Sequence, residues 1–289
     1  MMKKVFCLFL CLALLFTFSG CRHKVKTVNY TAATYEALLI STSDGATDIS
    51  EDALPWRSAE VEKPTTKTIT YEGKEYTGTL YHSQHWLPDF RARLEYRGEE
   101  ANFIVDGQTG DLIGFTDKKA GSFDNVVTAE QARQVADALA EKYVSLSAYT
   151  VKEGNTEGPL RTYRYYRAMG DETTRDFVCV VVDGQGQVYS FEKGDIGSFA
   201  DVSSVTIDEA QVTAIIENKL NACYRGESVV AGQWESYETY DRELVRLPDG
   251  NIGLYCTIMV TFVPRYDEET GETYISGDCC EILIVTTPA

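Results

Sequence analysis

The chain has 289 residues, enough for one large domain or for two to three repeated units around a sizeable core. An apolar content of 44% and a charged content of 25% are those of a soluble globular protein. The formal net charge of −17 is spread along the chain and argues against a nucleic-acid backbone as partner, which needs a basic face. In chain order, Lys3 and Lys4 precede the apolar run Val5–Phe18. A bilayer-spanning helix takes about 20 residues, so this shorter run suits the core of a signal peptide, expected over residues 1–20.

Phe18-Ser19-Gly20-Cys21 follows at once and resembles the lipobox of bacterial lipoproteins. The resemblance implies cleavage before Cys21 and diacylglyceryl attachment to its sulfur. The chain is then expected on the extracytoplasmic face of the cell membrane, held there by lipid. Two acyl chains anchor stably where one is marginal, at about 0.8 kcal/mol per buried methylene. Five cysteines remain beyond Cys21, namely Cys179, Cys223, Cys256, Cys279 and Cys280. An odd number leaves at least one thiol over, and the pairing stays open.

Residues 21–66 are rich in Thr, Ser, Ala and charge and are expected to act as a tether, with room for a short helix over residues 31–40. A strand-rich unit is expected over 67–117. In it, Thr68–Tyr71 and Tyr76–Tyr81 flank a turn at Glu72-Gly73-Lys74, and Arg91–Tyr96 alternates toward Phe103-Ile104-Val105. That strand enters the turn Asp106-Gly107-Gln108-Thr109-Gly110 and returns as Leu112-Ile113-Gly114-Phe115. A helix is then expected from Thr128, with Gln131 completing a capping box. Ala132, Val135, Ala136, Leu139, Ala140 and Tyr143 follow at helical spacing on one face.

The order repeats. Strand Val180-Val181-Val182, turn Asp183-Gly184-Gln185-Gly186 and strand Val188–Phe191 lead to a second helix with Thr206 as its expected cap. Asp106 and Asp183 lie 77 residues apart and Thr128 and Thr206 lie 78 apart, so the helical stripe Val212, Ile216, Leu220 is displaced from its cap by one residue. A third turn, Asp267-Glu268-Glu269-Thr270-Gly271-Glu272, has the D-x-x-T-G-[DE] form of Asp106–Asp111. The repeating unit is thus helix, strand meander, closing hairpin, over 124–194 and 202–289. The last unit carries an extra strand at Glu281–Val285, and Thr116–Val126 forms the joint between the first two.

Thr128-Ala129-Glu130-Gln131-Ala132 and Val105-Asp106-Gly107-Gln108-Thr109-Gly110-Asp111-Leu112 resemble the opening and the closing hairpin of the PepSY domain. The resemblance implies an α+β fold of tandem PepSY-like units, each an antiparallel sheet with one helix on a face. PepSY domains occur in metallopeptidase propeptides and are proposed to restrain proteases. The likeness carries over no catalytic residue.

Chemistry is sparse. The aspartate turns are too short for a calcium loop, which spreads its oxygens over about 12 residues, and read as structural. His82, His85 and Asp89 sit where a strand gives way to a loop, so their side chains diverge rather than share a metal. There is no HExxH, G-x-S-x-G or glycine-rich phosphate loop, so no catalytic residue, metal or cofactor is assigned. Within Tyr163-Arg164-Tyr165-Tyr166-Arg167, a strand would put Tyr163, Tyr165 and Arg167 on one face. That face suits stacking on a sugar or gripping a peptide carboxylate, although plain cross-strand packing explains it as well. The role expected is a non-enzymatic, lipid-anchored module that binds a peptide or protein or restrains an extracellular protease. The alternatives are a small-solute or cation receptor, which needs a deep pocket, and a hydrolase, which needs a cleft with facing carboxylates.

Overall fold

The computed structural model describes residues 27–41, 61–86, 90–124, 126–155, 158–224 and 234–289. The signal segment, Cys21, Asp89 and much of the expected tether lie outside them. The first hairpin forms as β2 (Thr66–Tyr71) and β3 (Lys74–Trp86). Its two turn residues, Glu72 and Gly73, both have positive φ, 50° and 79°. That two-residue geometry carries the twist that right-handed strands require. The chain then continues as an antiparallel meander, β4 (Arg91–Gly98), β5 (Ala101–Asp106) and β6 (Leu112–Asp117).

Helix α1 (Ala129–Ala140) starts as its sequence directs. The Thr128 Oγ1 accepts the Gln131 N–H at 3.2 Å, and the Gln131 side chain accepts the Thr128 N–H at 2.9 Å. Ala132, Ala136, Leu139 and Ala140 are buried, and these short side chains let the helix lie close on the sheet. Beyond it come β7 (Thr150–Glu153), β8 (Arg161–Tyr166), β9 (Thr173–Thr174), β10 (Phe177–Val182) and β11 (Val188–Lys193). Because β11 pairs with β6, a single nine-stranded sheet results, in the order β2-β3-β4-β5-β6-β11-β10-β8-β7. The segments expected as separate units, 67–117 and 124–194, therefore share one sheet. Their seam aligns Phe115 with Phe191, so both rings enter the core beneath α1 and neither strand is left as an open edge.

The second sheet runs β12-β1-β17-β14-β13-β9, with β1 (Val28–Ser41), β12 (Val202–Thr206), β13 (Trp234–Arg246), β14 (Ile252–Phe262) and β17 (Gly277–Pro288). Here the sequence expectation fails: the stretch read as tether with a short helix over 31–40 is a strand. Residues 28–31 pair in parallel with β12 and residues 32–41 pair antiparallel with β17. The aromatic and β-branched content of Val28, Tyr30, Thr31, Thr34 and Tyr35 favours that state once a partner edge exists. The buried Tyr30 hydroxyl fixes the register by donating to the Thr286 carbonyl at 3.1 Å.

Helix α2 (Glu209–Cys223) packs Val212, Ile216 and Leu220 onto this sheet. Its cap is Asp208, whose carboxylate accepts the Ala210 and Gln211 N–H groups, and Thr206 instead closes β12. The fold is thus mixed and mostly β, with two α-helices among the described residues.

The two sheets meet through the β8–β10 connection. There β9 leaves the first sheet to pair in parallel with β13. Glu243, 2% exposed, lies between Arg164 and Arg175, accepting from Arg175 at 3.1 Å. A small apolar cluster of Val245, Leu247, Tyr255 and Leu283, with Phe90 against it, completes the contact.

Candidate functional site

The sequence singled out Tyr163, Tyr165 and Arg167. The structure puts Tyr163 and Tyr165 on one face of β8, as alternation requires, but that face is the one α1 covers. Both rings are buried. Tyr163 donates to the Ala129 carbonyl at 3.0 Å, and Tyr165 donates to Asp137 at 2.6 Å. Arg167 binds the buried Asp176 at 3.1 Å and lies over the Tyr149 ring. These three residues join helix, strand and loop, and the binding surface assigned to them is corrected accordingly. Strand parity is legible in a sequence, whereas which face a distant helix will cover is not.

The opposite face of the nine-stranded sheet has no helix on it among the described residues. Cross-strand register sets two rows there. One reads Arg97, Asn102, Thr116, Ser190, Val181, Thr162, and the other Glu95, Ile104, Gly114, Glu192, Cys179, Arg164. At their centre is a hollow of about 220 Å³, lined by both glutamates, Asn102, Ile104, Gly114, Thr116, Cys179, Val181 and Ser190. The hollow exists because Gly114 has no side chain between Ile104 and Glu192. A Cβ there would meet the Phe191 carbonyl at 3.3 Å and Ile104 at 3.4 Å.

Its walls combine hydroxyls and an amide with aliphatic groups, and its carboxylates are held by arginines on the same face. Arg93 donates to Glu192 at 2.8 Å and Arg97 donates to Glu95 at 3.2 Å, while the Arg97 guanidinium stacks on Tyr81. Burial pushes the Cys179 thiol up to about 11, so at neutral pH it is a protonated wall group rather than a nucleophile. The Asn102 Oδ1 is enclosed without a hydrogen-bond partner in the protein. The sequence held one signal for this face: polar Asn102, Thr116, Thr162 and Ser190 alternate with core residues, and a glycine interrupts β6.

The aspartate turns are structural, each held by backbone N–H groups donated to the aspartate's Oδ1. Asp106 Oδ1 accepts the N–H groups of Gln108 and Thr109, and Asp267 Oδ1 those of Glu269 and Thr270. At the middle turn, Asp183 Oδ1 accepts the N–H groups of Gln185 and Gln187, and its Oδ2 takes those of Gly121 and Ser122 from the segment before α1. That segment lies so close that a Cβ on Gly184 would stand 1.9 Å from the Asp124 carbonyl oxygen. His82 is exposed on β3, and no group of three metal-binding side chains occurs among the described residues. Nor is any described helix long and apolar enough to cross a membrane.

No protein-family description matches the chain, and no curated protein does. Among solved structures, the chain is similar to the Bacillus megaterium YpeB C-terminal domain, at 8% identity and a TM-score of 0.30, over 73% of this chain and 88% of that one.

Proposed function

We propose that this is a lipid-anchored, extracytoplasmic and non-enzymatic module, built of PepSY-like units, that binds a segment of a peptide or protein on the open face of its nine-stranded sheet. The lipid and location rest on Phe18–Cys21, and the unit type rests on the resemblance of Thr128–Ala132 and Val105–Leu112 and on the repeated aspartate turns. The observation that carries the binding reading is the hollow at Gly114. At about 220 Å³ it is smaller than the roughly 300–1,000 Å³ of a small-molecule pocket, yet it accepts one or two side chains of a docked segment. The rows of hydroxyl, amide and carboxylate groups on either side supply hydrogen bonds along the path of such a segment. That size and openness favour a peptide over a small solute.

Substituting Gly114→Val puts a side chain into the hollow and requires Ile104, which a Cβ there already meets at 3.4 Å, to give way. Screened against a library of extended peptides, detergent-solubilised wild type is expected to select binders that the variant loses by about tenfold or more, under conditions where a thermal melt shows both proteins folded. Equal selection by both proteins would remove the open face from consideration. Mass spectrometry of the N-terminal peptide checks the anchor, and an unmodified Cys21 would refute it.

A further inference from the structure

A second surface, remote from the hollow, lies at the end of the β14–β17 hairpin. Between these strands the chain projects as a ribbon, β15 (Arg265–Asp267) paired with β16 (Glu272–Tyr274). Nearly every described side chain from Val263 to Gly277 is exposed. The exposure includes large apolar groups: Tyr266 is 66% exposed, Tyr274 48% and Ile275 72%. Tyr266 pairs with Thr273, and successive strand residues face opposite sides, so the two tyrosines occupy opposite faces of the ribbon. An isolated two-stranded ribbon is marginal in water, and this one buries nothing that would repay ordering it. It is nevertheless shaped in advance. The Asp267 turn closes its tip, and the Tyr274 hydroxyl donates to Glu272 at 3.0 Å. A preformed element with apolar groups on both faces is ordered for a contact.

Charge selects the partner. Asp267, Glu268, Glu269 and Glu272 stand in this stretch against Arg265 alone. A second copy would bring the same acidic ribbon and repel it, and an anionic lipid surface would do the same. We infer that the ribbon is a docking element for a basic protein surface that carries apolar groups between its cationic side chains.

The test uses full-length protein in detergent and, as probe, an immobilised peptide of alternating lysine and leucine. A chain of net charge −17 attracts lysine peptides at many places, so the deciding variant keeps every charge. Y266S/I275S is expected to weaken binding by about tenfold at moderate salt, and E268Q/E269Q to weaken it less and to flatten its salt dependence. Both variants should keep the wild-type melting temperature, because the ribbon contributes to no core. Gly114→Val should leave this binding intact, which separates failure here from failure of the open-face reading. Unchanged affinity in Y266S/I275S would overturn the inference. So would loss in that variant of a self-association seen by sedimentation, or binding to anionic vesicles that depends on the same residues.

Discussion

The turns at Asp183 and Asp267 are chemically alike and differ in what packs against them. Each aspartate collects backbone N–H groups on Oδ1 and each turn ends in a glycine at positive φ, 82° at Gly186 and 72° at Gly271. At Asp183 the segment carrying Gly121 and Ser122 lies on the turn, the carboxylate is fully buried, and its second oxygen binds two more N–H groups. At Asp267 the carboxylate is half-buried, and its bonds to Glu269 and Thr270 lie among residues that are exposed. An aspartate followed three or four residues later by a positive-φ glycine thus specifies a tight turn. What that shape is worth depends on what packs against it.

Graded substitutions sharpen the contrast. Asp183→Ala removes four acceptor contacts and strands enclosed donors, and is expected to lower unfolding free energy by about 3 kcal/mol in urea titration. Burial alone would raise the Asp183 pKa, and the backbone donors outweigh it, so the folded carboxyl lies below its ordinary value. A depressed folded pKa means that the stabilisation is complete above the unfolded value of about 3.9 and is lost as pH falls through the folded one. Wild-type stability should therefore drop more steeply in that acid window than the stability of Asp183→Ala. Asp106 is 5% exposed and has Arg91 at 3.6 Å, but no segment is docked on its second oxygen as at Asp183. Asp106→Ala is expected to cost about 2 kcal/mol by the same measurement. For Asp267→Ala the expected change is under about 0.5 kcal/mol. Equal losses at Asp183 and Asp267 would mean that the turn itself, and not its docking, carries the energy.

The same division marks what could be read beforehand. Local chemistry was legible: the Thr128 capping box, the alanine stripe of α1, the β2–β3 hairpin and the aspartate turns all stand where the residues put them. Long-range pairing was not. Strand β1 shows no clean alternation of polar and apolar residues, and its partners, β12 and the edge of β17, lie far along the chain. The β6–β11 seam depends likewise on two hairpins aligning Phe115 with Phe191. The second cap was misplaced because Thr206 and Asp208 are both good caps, and pairing with β1 extends the strand through Thr206. Tyr163 and Tyr165 were assigned to one face correctly, but helix α1 decides that the face is interior.

The binding face is tested most directly by site-specific photocrosslinking on intact cells. A photoreactive residue in place of Thr116 lies on the open sheet face, and one in place of Lys142 lies just beyond the end of α1 on the opposite side of the same sheet. The account predicts a discrete crosslinked protein from position 116 that is absent from position 142 and that disappears when Gly114→Val is added. The same adduct from both positions, or an adduct from position 116 indifferent to Gly114→Val, would contradict it.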